Sequence, residues 1–273
     1  MNTLYQGDNL SILREMPSES VDLICTDPPF NTGKDWGAFN DKWEGGLKGY
    51  LKFMEARAVE MRRVLKDTGS LYLHCDPTAS HYLKVMLDGV FGIKQFRNEI
   101  VWHYTNTRQR VNQQIFLLSH NIILRYAKNK DETWHQLYVP LSPETIKRNG
   151  IRKTIKVKTP KGTLVNRYSD EISPGSRMRD VWTDINTLHA SAKERLGYPT
   201  QKPIALYQRM IKASSNQGDT VLDPFCGSGT TLDAAQSLGR QWIGIDIGDT
   251  AIETTQKRLK DRHGMLLEYE LIN

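Results

Sequence analysis

Asp27-Pro28-Pro29-Phe30 combines a carboxylate, a rigid pair of prolyl carbonyls and an aromatic face within four residues. It follows the apolar run Val21-Asp22-Leu23-Ile24-Cys25, which reads as a buried strand. Two successive prolines lack backbone N–H groups, so the strand must end there. Hydrogen-bond acceptors beside a stacking surface suit an exocyclic amino group on a flat nucleobase. A strand end with an aspartate in its turn is an equal reading of the tetrapeptide alone.

A second set of residues narrows the choice. Val221-Leu222-Asp223-Pro224-Phe225-Cys226-Gly227-Ser228-Gly229-Thr230-Thr231 reads as a strand, a tight glycine turn and a helix start. Asp246 ends the next strand, nineteen positions after Gly227. At that spacing an acid reaches a ribose hydroxyl in a nucleotide-binding βαβ unit. A dinucleotide site uses three glycines and keeps negative charge away from the pyrophosphate. Here the third glycine is missing, and Asp223 would repel a pyrophosphate but stabilise an ammonium. S-adenosylmethionine has that ammonium, a ribose for Asp246 and no phosphate. A turn-capping role is the competing reading of Asp223. Upstream, Tyr198-Pro199-Thr200-Gln201-Lys202-Pro203 leads into a helix, with Pro203 suited to its first turn. Lys202 and the helix N-terminus can hold the methionine carboxylate, although an ordinary helix start explains the same residues.

Alternating strands and helices must position these groups. Strands are expected at Val21–Thr26, Ser70–Cys75, Glu99–His103, Asn121–Ala127, Thr220–Asp223 and Gln241–Ile245. A helix from Gly49 to Leu65 shows Leu51, Met54, Ala58, Met61 and Leu65 on one face, closed by Asp67-Thr68-Gly69. A helix from His81 to Val90 has Tyr82, Val85, Met86 and Gly89 as its expected inner face. Further helices are expected at Ile204–Ala213, Thr230–Leu238 and Thr250–Arg262. The alternation argues for a mostly parallel sheet covered by helices. From Lys128 to about Gly197 periodicity weakens and Pro140, Pro143, Pro160 and Pro174 interrupt it, as an inserted subdomain would. Residues 1–127 and 198–273 would then be two parts of one α/β domain around the insertion 128–197.

Composition bounds the remainder. No apolar run approaches the roughly 18 residues that span a membrane, and the first eight residues lack signal-peptide character. The three cysteines, Cys25, Cys75 and Cys226, have no metal-type spacing and read as small core hydrophobes of a reduced, cytoplasmic protein. Net charge is +6, yet Lys147, Arg148, Arg152, Lys153, Lys156, Lys158, Lys161 and Arg167 form a run of eight cations without an acid. Removing those eight leaves −2 for everything else, so the positive charge is one local segment.

Together these residues resemble the DNA amino-methyltransferases of the β group, which methylate the exocyclic amine of adenine or cytosine. Asp27-Pro28-Pro29-Phe30 is similar to the family's catalytic motif, and Asp223 to Thr230 to its cofactor loop, with Phe225, Cys226, Gly227 and Gly229 inside it. Thr200 and Lys202 fall in the third cofactor element. Gly7-Asp8-Asn9-Leu10 is similar to the stretch whose aspartate receives the cofactor's adenine amine. Gly69 to His74 and Asn98 to His103 look like later core strands. The catalytic motif precedes the variable region and the cofactor loop comes last, as in the β group. Tyr198 departs from the histidine that many relatives carry.

The resemblance implies a circularly permuted, Rossmann-like methyltransferase fold with a target-recognition insertion. It implies S-adenosyl-L-methionine as cofactor and double-stranded DNA as substrate, and admits a homodimer and a cognate restriction endonuclease. The flipped base would stack on Phe30 while Asp27 and the Pro28 carbonyl hold the amine for in-line attack, with no cysteine nucleophile. Adenine N6 is favoured over cytosine N4, because the N4 enzymes more often begin the motif with serine. The eight cations, with Arg108 and Arg110 between Asn106 and Gln114, would face DNA. Trp36 and Trp102 read as packing before pocket residues. Rival readings are a methyltransferase for RNA or protein amides, whose tetrapeptide begins with asparagine, and a DNA-binding module without catalysis. A nicotinamide dehydrogenase is disfavoured by Asp223 and the missing glycine.

Overall fold

The computed structural model describes residues 1–105, 114, 116–159, 163–265 and 267–273, with the backbone alone for Asn149 and Asp170. Residues 106–113 of the expected Asn106–Gln114 loop, Arg108 and Arg110 among them, and Lys161 lie outside the described residues. In chain order the elements are β1 (Thr3–Gln6), α1 (Asn9–Glu15), β2 (Val21–Thr26), α2 (Gly46–Val64), β3 (Leu65–Cys75), α3 (Pro77–Phe91), β4 (Phe96–His103) and β5 (His120–Ala127). There follow β6 (Tyr138–Val139), α4 (Pro143–Asn149), β7 (Arg152–Lys158), β8 (Leu164–Ile172), β9 (Ser176–Arg177) and β10 (Val181–Trp182). The chain closes with α5 (Ile204–Ser214), β11 (Thr220–Asp223), α6 (Thr230–Ser237), β12 (Gln241–Asp246), α7 (Asp249–His263) and β13 (Glu270–Ile272).

Among the described residues the main sheet has nine strands in the order β10-β4-β5-β3-β2-β11-β12-β1-β13. Only β5 runs against the others, pairing antiparallel with both β3 and β4. β2 is central and apolar on both faces, with Val21, Leu23, Ile24 and Cys25 all fully buried, as expected of a parallel strand covered on both sides. From β2 the chain winds toward β3, and from β11 it winds the other way toward β12. The crevice between β2 and β11 is therefore a topological switch point, where open α/β sheets bind ligands at their carboxyl ends.

The helices depart from expectation in instructive ways. α2 buries Tyr50, Met54, Arg57, Ala58, Met61 and Val64, close to the expected stripe but with a guanidinium inside it. Asp67-Thr68-Gly69 does not close this helix. It forms an irregularity inside β3, between the pairs Val21↔Leu65 and Leu23↔Ser70. In α3 the expected inner face is largely outward, with only Met86 of its four residues packed, partly buried, against the core. Asp76 caps the helix by accepting from Thr78 N, and Pro77 fills its first turn. The buried row is Ala79, Leu83, Leu87 and Phe91, whereas Tyr82 and Val85 are 52% and 70% exposed. Both phases carry apolar residues, and the earlier helix start selects the four-residue repeat. β1 and α1 were not expected as elements at all.

The chain forms two compact units, Met1–His135 with Asp180–Asn273, and Gln136–Arg179. The second is narrower than the insertion expected over 128–197, because Lys128–His135 and the segment from Asp180 pack with the first. Within it, β7 and β8 form an antiparallel pair, β6 pairs with β9, and Ser142 caps α4. No helix among the described residues is long and apolar enough to cross a membrane.

Candidate active site

The carboxyl ends of β1, β2, β11 and β12 open onto one cavity of about 360 Å³. The volume falls within the range of small-molecule sites. β2 ends at Thr26, as the prolines demand, and delivers Asp27, Pro28, Pro29 and Phe30 to the wall. β11 delivers Asp223 and the glycine loop, and β12 delivers Asp246. Thr26 Oγ1 donates to Asp223 Oδ1 at 3.0 Å, joining two strand ends that lie 197 positions apart.

Asp27 is held from two sides. Lys202 Nζ donates to its Oδ2 at 2.5 Å and to the Thr200 carbonyl at 3.0 Å. His74 Nδ1 lies 3.0 Å from Oδ1, off the line of a good hydrogen bond. Burial alone would raise the Asp27 pKa, but Lys202, through its charge and its hydrogen bond, and the neighbouring His74 bring it below the usual carboxylate range. Burial lowers the His74 pKa, against the pull of Asp27. Phe30 meets His74 edge-on with centroids 5.2 Å apart, and Lys202 Nζ sits 5.0 Å from the Phe30 centroid.

The glycine loop is built around two carboxylates. Asp223 is 2% exposed and accepts from Thr26 Oγ1, Thr231 Oγ1 and Phe225 N. Burial pushes its pKa up to about 7 against those bonds, with the Asp27 charge adding to the rise. The Phe225 bond is a turn cap, so the capping geometry is present alongside the cavity-lining position. Asp246 accepts from Gly227 N and Gly248 N, each at 2.9 Å, and burial raises its pKa. Gly227 and Gly229 have φ of +51° and +71°, a region that favours glycine. A Cβ on Gly229 would fall 2.8 Å from Thr255 Cγ2 and Oγ1.

Residues 21–257 match the N6/N4 methyltransferase family model, described as DNA methylase. The chain belongs to the DNA amino-methyltransferases. It is 34% identical to the Type II methyltransferase M.HpaI of Haemophilus parainfluenzae over 256 residues, which are 94% of this chain and 73% of that protein. Identity to the DNA adenine methyltransferase YhdJ of Escherichia coli (strain K12) is 32% over 257 residues, 94% of this chain and 82% of that protein. The fold is similar to that of a DNA modification methylase from Thermus thermophilus, solved with S-adenosyl-L-methionine. That likeness has a TM-score of 0.65 at 21% identity and covers 100% of this chain and 98% of the other.

In this DNA amino-methyltransferase the remaining sequence-derived positions divide. Asp8, Asn9, Thr200, Phe225, Cys226 and Thr230 line the cavity, but Leu10 and Gly229 do not. Gly229 instead is the N-cap of α6. Asp8 caps α1 through Ser11 N and pairs with Arg57 Nη2 at 2.7 Å. Asn9 ties Arg57 Nε to the Pro224 carbonyl. Trp36 lines the cavity, whereas Trp102 is fully buried and donates Nε1 to the Ile185 carbonyl. Tyr198 also lines it, its ring 3.3 Å from where a Cβ on Gly227 would stand. Lys147, Arg148, Arg152, Lys153, Lys156, Lys158 and Arg167 are exposed on α4, β7 and β8, outside this cavity, with Lys153 paired to Glu171.

Sequence reasoning missed Arg57 and His74. Arg57 was signalled by a charge inside the apolar stripe of α2. His74 was signalled by a polar residue at the end of an apolar strand, where a sheet of this type presents its chemistry.

Proposed function

We propose that this DNA amino-methyltransferase transfers a methyl group from S-adenosylmethionine to adenine N6 in duplex DNA, with the target base flipped out. One observation carries the reading: the Asp27 tetrapeptide and the Asp223–Asp246 loop system share a single cavity wall. The cavity also suits this cofactor by charge. Its lining includes five carboxylates, Asp8, Asp27, Asp41, Asp223 and Asp246, against the two cations Arg57 and Lys202. Those cations are already paired to Asp8 and Asp27. An excess of acid repels a pyrophosphate and favours a ligand bearing an ammonium and a sulfonium. Asp223 would face the ammonium, Asp246 the ribose and Asp8 the adenine amine. Bound there, S-adenosylmethionine supplies an electrophilic methyl group.

The protein's part is to orient the nucleophile. An exocyclic base amine is a poor one because its lone pair is delocalised into the ring. Hydrogen bonds from that amine to the Asp27 carboxylate and the Pro28 carbonyl favour a pyramidal nitrogen with its lone pair restored. With its pKa held low, Asp27 is an acceptor and orienter before it is a base, and the product's proton can pass to water. Flipping costs a few kcal/mol, and stacking on Phe30 returns about 1–3 kcal/mol. Phosphate contacts from the exposed cations of α4, β7 and β8 would supply the remainder. Adenine is favoured by the aspartate that begins the motif and by the adenine-methylating relative.

Nucleoside mass spectrometry of DNA from cells expressing the chain tests the assignment. N6-methyladenine is expected. N4-methylcytosine in its place would reassign the base, and neither product would overturn the proposed activity.

A further inference from the structure

We propose that His74 is a positioning residue for this reaction, an imidazole that fixes the catalytic carboxylate from behind so that Asp27 Oδ2 meets the target amine. The inference rests on the methyl-transfer reading above and adds a group outside the cavity wall. His74 is 1% exposed and does not line the cavity. It stands on β3, the strand beside β2, and reaches Asp27 across the strand ends.

The hydrogen-bond network selects its tautomer. Asn121 on β5 lies with Nδ2 3.0 Å from His74 Nε2. The Asn121 Oδ1 accepts from the Tyr104 hydroxyl at 3.2 Å, which leaves the amide N–H for the imidazole. Nε2 is then the acceptor, so a neutral ring must carry its proton on Nδ1. The opposite arrangement would set an Nδ1 lone pair 3.0 Å from a carboxylate oxygen, which is repulsive. Asp27 Oδ1 and His74 Nδ1 are both closed to solvent, and neither has a well-aligned hydrogen-bond partner among the described residues. They lie 3.0 Å apart, so a donor N–H on Nδ1 and the acceptor Oδ1 each supply what the other lacks. The edge contacts with Phe30 and with Trp102, centroids 5.2 and 5.5 Å away, keep the ring in place.

The consequence is a division of labour between the two carboxylate oxygens. Oδ1 faces the imidazole, leaving Oδ2 for a ligand in the cavity. There Lys202 already donates, and an amine must share or replace that contact. Around Asp27 the other titratable groups are Asp223, Tyr50, Tyr198 and Tyr207, with Cys75 alongside His74 on β3. Asp76 faces His74. None of these is altered in the variants below.

His74→Phe keeps a ring and removes the N–H. It should lower kcat about 10- to 100-fold, the range for losing a buried hydrogen bond to a charged group. KM for cofactor and DNA should stay within about twofold, and the acid limb of kcat should move up by about one pH unit as Asp27 loses a donor. His74→Gln restores an N–H and should recover most of the rate and the original limb. Nitrogen-15 spectra of ring-labelled wild type should show the proton on Nδ1, a readout that needs no activity and no variant. A proton on Nε2, an unmoved acid limb in His74→Phe, or equal losses in the two variants would overturn the proposal. Absence of methyl transfer by the wild type would instead fall on the methyltransferase reading and leave the tautomer result standing.

Discussion

Asp223 offers a quantitative test of why this cavity takes a cation. Its carboxylate is buried, its pKa is raised to about 7, and its bonds come from two hydroxyls and one amide N–H. An aspartate ordinarily titrates near 3.8. The raised value means that the folded protein binds the proton more tightly than the unfolded chain. Stability therefore falls as pH rises from about 4 to about 7, and about 4 kcal/mol separates the two ends of that window. A cationic group beside Asp223 favours the ionised form and relieves that penalty. Cofactor binding below pH 7 should then expel a proton from the site. If the complex keeps Asp223 ionised, the dissociation constant should be about tenfold weaker at pH 6 than at pH 8, or about 1.4 kcal/mol. Calorimetric titration at both pH values, in buffers of different ionisation enthalpy, measures affinity and proton release together.

The ligand's own amino group also titrates, near pH 8, so the comparison must be with Asp223→Asn. This variant keeps the shape, and its ligand titration is identical. It should bind the cofactor more weakly at pH 8, lose the proton release at pH 6 and be more stable without ligand at pH 8. Identical pH profiles in the two proteins would refute the cation argument, whatever the affinity.

Asp27→Ala should abolish methyl transfer, by about 10³-fold or more if orientation supplies several kcal/mol, while cofactor affinity measured by calorimetry survives. Near-normal turnover would remove Asp27 from the mechanism. Gly229→Ala sets a Cβ 2.8 Å from Thr255 at φ +71°, and should cost about 1–3 kcal/mol in denaturant unfolding; unchanged stability would show that the loop relaxes freely. Replacing Lys156, Lys158 and Arg167 with glutamine should weaken DNA binding and flatten the slope of log K against log salt by about 3 units. An unchanged slope would take β7 and β8 out of the interface.

Local patterns revealed most of the fold because each element is written in its own residues. The apolar run before Asp27 and the glycine turn after Asp223 both define strand ends at single-residue precision. α3 differs in phase, since apolar residues occupy two helical faces, Tyr82, Val85 and Met86 on one and Leu83, Leu87 and Phe91 on the other. β1 was hidden because four residues, Thr3-Leu4-Tyr5-Gln6, carry too short an alternation to stand out. Its status follows from the pairing with β12, Thr3↔Ile243 through Gln6↔Asp246, which no local window contains.

The site shows the same boundary in charge. Asp27 and Lys202 each stand out in the sequence as candidate site residues, with different expected partners: an amine for Asp27 and a methionine carboxylate for Lys202. The structure joins them at 2.5 Å across 175 positions. Both choices followed from what lies near each residue in the chain, a proline turn in one case and a helix start in the other. Sheet order decides otherwise. Placing β2 next to β11, with α5 following the Lys202 segment, brings the lysine over the end of β2, and two opposite charges in a poorly solvated crevice must pair. His74 enters by the same logic, because β3 is the other neighbour of β2. Charge type was legible from the sequence, and strand order was the missing coordinate. Once that order is known, the partners of a buried carboxylate are limited to what the two flanking strand ends and the segment crossing them present.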